Sequence, residues 1–300
     1  MRNASNASGV AAMLSATASF VVCDSFMKLV TEDLPPFEVL FLRGIAASLA
    51  CAIPLVLLED WRAVSGVFER RAVLRAAAET LSVLCYVVAL ARLPIADVVA
   101  ILQTAPLILI LAAAVLLRER IGTARLVLML AGFTGALLVA QPGSAGISPA
   151  ALLAFASALL IAARDLVGRG VPARIPVMVV TFATNFLVMI AAVAMSVGFE
   201  TWVAPTGRHL SFLGFAGLFV TLGHVGILLA YRLSRTAAVA PFFYSFALWG
   251  VLSGLFVWHH LPNALALTGI ALIAGSGITI VALDQRRGRV EEIALRDAAP

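Results

Sequence analysis

The stretch Phe20-Val-Val-Cys-Asp24-Ser-Phe-Met-Lys28, followed by Pro35-Pro36-Phe37 and closed by Phe41-Leu-Arg43, occurs twice in this chain of 300 residues. Moved on by 141 positions, Asp24 becomes Asp165, Lys28 becomes Arg169, Val30 becomes Val171, Pro35 becomes Pro176 and Phe41 becomes Phe182. An acid, a base four residues later and a proline eleven residues after the acid recur as one figure. Each copy is embedded in apolar sequence. This pattern predicts an internal repeat in a polytopic membrane protein, with charge set at mirrored depths in its two halves.

The composition agrees. Hydrophobic residues make up 62% of the chain and charged residues 12%, with a mean hydropathy of +1.04. A soluble domain carries about 25% charge. So much apolar surface cannot be hidden in a soluble fold of this size, so the outside of the protein must be apolar too. The net charge of +5 and pI of about 9.7 fit positive loops on one membrane face better than nucleic-acid binding. Cys23, Cys51 and Cys85 stand singly in apolar runs. Their spacing suggests neither a disulfide framework nor a metal site, and no cofactor is expected. The first apolar run is preceded only by Arg2 and is interrupted by Asp24 and Lys28. It reads as a retained helix rather than a cleaved signal peptide.

A helix needs ~20 apolar residues to cross the hydrocarbon core. Ten runs qualify: 9–30, 37–58, 72–90, 96–117, 123–140, 149–168, 175–197, 210–231, 237–258 and 263–283. They are too long and continuous for barrel strands. The expected fold is all-α, with short loops and a charged tail from Asp284 that frays. With the N-terminus inside, the inner segments hold 17 arginines and the outer loops only Arg92 and Arg208, so both termini are expected in the cytoplasm of a bacterial-type inner membrane. The repeat extends beyond its opening: Thr80-Leu81 recurs as Thr221-Leu222, Val99-Ala100 as Val239-Ala240 and Gly135 as Gly275. Residues 1–145 and 146–285 are therefore read as two five-helix halves, with 286–300 as a cytoplasmic tail. Five is odd, so the second half lies inverted relative to the first, an arrangement that lets mirrored halves exchange inward and outward shapes around a midplane site.

Charge inside the spans is costly, ~2.5–3.5 kcal/mol at a helix centre on the insertion scale. Asp24 and Lys28, and again Asp165 and Arg169, stand four apart with the acid first, the favourable order for a pair on one helix. They either neutralise themselves so that the helices insert, or act as gates: Asp24, Lys28 and Arg43 at the outer end, Asp165 and Arg169 at the inner. Arg43 is the natural interhelical partner of Asp24. Glu79, with Arg75 as its only base at a spacing of four, is a candidate for coupling transport to protons. Asp97 reads as a helix N-cap. Arg164 is assigned to the cytoplasmic end of its helix. Nearer the midplane stand Tyr86, Gln103, Asn185, His224, Tyr244 and Trp249; of these and Phe243, the aromatic residues and Gln103 either pack against neighbours or line a pocket for a small amphipathic solute. Pro106 and Pro241 can break the hydrogen-bond ladders of their helices there. Gly250 and Gly254 form a small-xxx-small pair that predicts close helix packing, with weak homodimerisation as a further use.

These residues resemble the drug/metabolite transporter superfamily, specifically its ten-helix EamA type, over nearly the whole chain. Lys28, Pro35-Pro36 and Arg43 match that family's pattern across its first two helices. Leu93-Pro94-Ile95-Ala96, Pro106 and Leu116-Leu117-Arg118-Glu119-Arg120, followed by Gly132 and Gly135, match its fourth-to-fifth helix pattern. The family's glutamate corresponds to Glu119. In the second half its place holds His259, and that of Pro106 holds Phe246, so the halves are not chemically equivalent. The resemblance implies a basket of ten helices with a central cavity, alternating access and small-molecule substrates. Amino-acid exporters, including those for aromatic amino acids, are the nearest match within it.

The leading expectation is thus a monomeric or weakly dimeric exporter of aromatic or neutral amino acids or related metabolites. The alternative is an importer of the same fold, for S-adenosylmethionine or another nucleoside-like solute. An enzyme is disfavoured: the chain has no HExxH, no Asp-rich pair and no Ser/His/Asp set at matching depths.

Overall fold

The computed structural model describes residues 2–58, 61–90, 92–93, 95–116, 118, 122–143, 148–259 and 261–297. Pro94, Glu119, Arg120 and His260 lie outside the described residues, as does the side chain of Asp97, so the expected cap at Asp97 and the family glutamate fall there too.

The regular structure of the described residues is all helical, with ten helices or joined helices long and apolar enough to cross a membrane. In chain order they are α1 (Arg2–Val30), α2 (Pro36–Leu58), α3 (Arg70–Leu90), α4 (Ile95–Leu102), α5 (Ala105–Leu116), α6 (Thr123–Ala140), α7 (Pro149–Arg169), α8 (Val177–Phe199), α9 (Gly207–Leu233), α10 (Thr236–Val239), α11 (Ser245–Trp258) and α12 (Ala264–Asp297). α4 and α5 together form the fourth span, and α10, a short 3₁₀ turn over Ala240–Tyr244 and α11 form the ninth. The sequence places the spans to within a few residues because their limits are set by apolar length and by local stop signals. Ser148 caps α7 by accepting the Ala151 N–H, with Pro149 in the first turn where no donor is needed. Thr206 and His209 form a reciprocal capping box at α9.

Two expectations are corrected. The charged tail from Asp284 is helical as far as Asp297, the last described residue, where fraying is expected. Its sequence offers Arg287 with Glu291, and Glu292 with Arg296, at the i, i+4 spacing that supports an exposed helix. Gly250 and Gly254 do not mediate close packing. A Cβ built at either would meet nothing within 4 Å, and Gly254 borders a lateral groove with Val139, Pro262 and Ala266. Close approach is made instead between α6 and α12, where a Cβ on Gly135 would stand 2.6 Å from the Gly269 carbonyl oxygen.

The helices pack in pairs that cross the sequence midpoint. The most extensive contacts are α1 with α9, α3 with α7, α2 with α8 and α6 with α12, followed by α2 with α9 and α3 with α8. Numbering the spans from one to ten, these are 1–8, 3–6, 2–7, 5–10, 2–8 and 3–7. Exchanging each span with the one five places away returns the same set. The ladders of the fourth and ninth spans also break at related places: at Gln103-Thr104 ahead of Pro106, and through the 3₁₀ turn holding Pro241. A proline cannot donate to the ladder and its ring clashes with the preceding turn.

Hydroxyl pairs join spans inside the apolar interior. Thr17 meets Ser245 at 2.8 Å, Ser25 meets Ser253 at 2.6 Å and Ser82 meets Ser157 at 2.9 Å. Each satisfies polar groups that would be costly in hydrocarbon. At the loop after α8, Glu200 takes the N–H groups of Phe37 and Glu38 at 2.9 and 3.0 Å, and the Ser196 hydroxyl at 3.0 Å. Its carboxylate thus caps α2 from the other half of the chain. Glu38, fully buried, returns the contact by accepting the Val203 N–H.

Candidate functional site

The polar residues of the spans gather in two layers along α3. Glu79 belongs to one and Tyr86 to the other. Seven residues of helix set them ~10 Å apart along the axis.

In the Glu79 layer everything is shut. Arg75, Glu79, Arg164, Asp165 and His224 are all buried. Arg164 is the hub: its Nη1 donates to Glu79 Oε2 at 2.5 Å and its Nε to Asp165 Oδ1 at 2.7 Å. His224 Nε2 stands 3.6 Å from the other Glu79 oxygen. Arg75 reaches across to α8 and donates to Thr184 Oγ1 at 2.7 Å. Two guanidinium groups thus face two carboxylates, drawn from α3 and α7, with α8 and α9 closing the sides. Such a set is tolerated away from water only because each charge is opposed. Beside it, Asp165 and Tyr231 border a tight crevice with Pro106, Phe243 and Leu109, at the broken fourth and ninth spans.

The other layer is open. Asp24 and Lys28 are exposed, and among the described residues no ion pair joins Asp24 to Lys28 or Arg43. Lys28 instead lies over the Trp258 ring, 4.4 Å from its centroid, a favourable cation–π placement. Arg43, half-buried, points its Nη1 at Met27 Sδ, 3.2 Å away, and Cys23 Sγ, 3.9 Å away. Between the layers, Phe20 rests edge-on against His224, with ring centroids 5.2 Å apart at 81°. Gly223 makes room for it: a Cβ there would stand 2.7 Å from the Phe20 ring.

The structure redistributes several expected partners. Glu79 pairs with Arg164 of another helix, not with Arg75. Asp165 pairs with its neighbour Arg164, while Arg169 donates to Thr236 at the start of the ninth span. Arg75 and Arg164, which the loop count treats as cytoplasmic, are interior residues. Of the midplane group, Tyr86 and Trp249 are half-buried, as is Phe243, which stacks on Phe246. Gln103 is buried at the break in the fourth span. Tyr244 faces the other way: it is fully buried against Gly132 and Phe133 of α6. Arg164 is the residue whose importance the sequence reading missed; His224, read there as a midplane polar residue, joins the Glu79 cluster. Arg164 was one position from a motif acid, and a basic residue beside Asp165 was the available signal.

Residues 7–141 match the family described as the EamA-like transporter family. Over 214 residues the chain is 34% identical to a protein of Rhizobium johnstonii named riboflavin transporter, covering 70% of this chain and 69% of that protein. It is 28% identical over 275 residues to the pseudopaline exporter of Pseudomonas aeruginosa, covering 91% and 95%. A crystal structure 20% identical in sequence superposes with a TM-score of 0.78 over 92% of this chain and 98% of that one, and carries the same fold. With ten membrane-crossing spans and relatives named as transporters rather than enzymes, this chain is a multi-pass membrane transporter, and it belongs to the EamA-like transporter family.

Proposed function

We propose that this protein is a secondary transporter of the bacterial inner membrane that moves a small ring-bearing solute by alternating access between two inverted five-span halves, residues 1–145 and 146–285. The observation that carries this reading is the unequal state of the two motif copies. Asp24 is exposed, while Asp165 is buried against Arg164 at 2.7 Å. If the halves are mirror copies, the present arrangement is one end of a cycle, open at the Asp24 layer and locked at the Asp165 layer, and the return state reverses the two. The arginine-rich loops support placing the Asp165 layer and both termini in the cytoplasm, with Asp24, Lys28 and Arg43 as the outer gate and Asp165 and Arg169, joined by Arg164, as the inner.

The solute we favour is a planar heteroaromatic such as riboflavin, taken up from outside. The name of the relative at 34% identity supports it, as do the aromatic side chains of the spans: Tyr86, Phe20, Trp249 and the stacked Phe243 and Phe246. Export of aromatic or neutral amino acids is the second reading, favoured by the full-length likeness to a protein named as an exporter. Glu79 is the acid on which coupling would act. A proton there removes one charge of the Glu79–Arg164 pair and loosens the inner lock.

Uptake into proteoliposomes of labelled riboflavin, S-adenosylmethionine, phenylalanine and leucine, with and without a proton gradient, tests the reading. Riboflavin entry is expected. Movement of the amino acids alone would replace it with the second reading, and movement of none would remove both.

A further inference from the structure

Arg43 is held without a proper acceptor. A guanidinium carries five N–H donors in a fixed fork and accepts nothing; it is best matched by a pair of oxygens. The hydrogen-bond partners of Arg43 are two sulfurs, Met27 Sδ and Cys23 Sγ, and sulfur is a weak acceptor. Its Nε is buried with no partner among the described residues. Arg164 reaches two carboxylates, Arg75 a hydroxyl and Arg232 the Ile175 carbonyl, so each of these has an oxygen acceptor although Arg75 Nη2 and Arg232 Nε are also buried with no partner among the described residues.

The missing acceptor has a counterpart close by. Asp24, on the neighbouring helix, is exposed and makes no hydrogen bond or ion pair among the described residues. Arg43 reaches the same turn of α1, its Nη1 3.9 Å from Cys23 Sγ, one position before Asp24. Opposite charges thus lie on facing helices without closing on each other. One turn below Asp24, the Phe20 ring forms an apolar floor over His224. A fork of donors, a free carboxylate and rings alongside are complementary to a flat molecule with a mixed polar edge.

We propose that Arg43 and Asp24 form a two-point site for a solute that presents an oxygen acceptor next to an N–H donor, the oxygen going to the Arg43 fork and the N–H to the Asp24 carboxylate. This rests on the transporter reading above and names the group its substrate must carry. The same chemistry has two sources. One is a cyclic imide edge, as in the isoalloxazine ring of riboflavin, with an N–H between two carbonyls. The other is the carboxylate and ammonium of a free amino acid. Both are neutral overall and both would bridge Asp24 and Arg43, so that solute binding draws α1 and α2 together at the outer gate.

The test compares uptake of riboflavin with N3-methylriboflavin, and of phenylalanine with its N,N,N-trimethyl betaine, by proteoliposomes of the full chain. The modified member of each pair lacks the donor meant for Asp24. The wild type should take up the unmodified member about tenfold better, the worth of one hydrogen bond to a charged group. The pair that shows the preference identifies the source. Asp24→Ala should bring the ratio to within about twofold. Arg43→Lys should raise KM for both members alike and leave the ratio unchanged, because the acceptor contact is common to them. Melting of the purified variants in detergent close to wild type shows that the fold is retained. Uptake with no preference for the N–H form, or a preference that survives Asp24→Ala in the folded protein, overturns the site and leaves the transporter reading standing. No uptake of either pair by the wild type overturns the solute reading and this site with it.

Discussion

Asp24 and Asp165 stand 141 positions apart at the same place in two copies of one motif, yet Asp24 is exposed and Asp165 is 3% exposed, 2.7 Å from Arg164. Two chemically alike acids thus occupy opposite environments in one molecule. The difference lies in what surrounds them. Asp165 has Arg164 beside it in the chain, while the corresponding position before Asp24 is Cys23. The first half therefore has no cation directly beside its acid in the chain, and the outer layer depends on Arg43, Lys28 or a solute to close.

The Arg164 hub should be energetically coupled to Glu79. Removing one partner of a buried pair leaves an unopposed charge, at a cost of ~3–5 kcal/mol. Arg164→Gln alone is expected to lower the melting temperature in detergent strongly. Adding Glu79→Gln should recover part of that loss, with a coupling of about 1 kcal/mol or more in the double-mutant cycle. Additive losses would show that the 2.5 Å contact contributes nothing.

Glu79→Gln alone should flatten the pH dependence of transport. Protonation of Glu79 removes its charge from the pair with Arg164, so in the wild type inward opening should become easier as pH falls. The glutamine is already neutral and should show no such trend. A variant that keeps the wild-type pH profile, measured as initial uptake rate, removes Glu79 as the proton carrier.

Arg169 and Thr236 join the end of the sixth span to the start of the ninth. Cysteines at both positions, in a background lacking Cys23, Cys51 and Cys85, should react with a short bifunctional thiol reagent. Transport should stop and return on reduction. Undiminished transport by the cross-linked protein would mean that these two spans do not part at the inner gate.

Glu200 should stabilise the protein without affecting solute choice. Its carboxylate satisfies two N–H groups at the start of α2, and such a cap, reinforced by the helix dipole, is worth ~1–2 kcal/mol. Glu200→Ala is expected to lower the melting temperature while leaving the ranking of transported solutes intact. An unchanged melting temperature would show that water replaces the cap at no cost.

Most of the fold was legible because lipid imposes a simple rule. A span must be long, apolar and internally hydrogen-bonded, and that rule acts on contiguous residues. The run around Val98–Leu116 is visible by composition alone, and Pro106 announces its break. Gly250 and Gly254 show where the same approach fails. Their spacing is that of a packing face, but whether another helix lies against it depends on where α6 and α12 go.

The candidate site divides along the same line. By itself the sequence determined that there are ten spans, that a charged motif repeats between the halves, and that Asp24, Arg43, Glu79 and Asp165 are charges in apolar surroundings, since each of these is a property of neighbours along the chain. Only the tertiary structure decided their partners. Glu79 pairs with Arg164 across 85 positions, Arg75 with Thr184 across 109, and Arg43 with two sulfurs instead of Asp24. A buried charge takes the nearest opposite charge or dipole that packing brings to it. In a helical bundle that neighbour comes from another helix, at a sequence distance that no local pattern records.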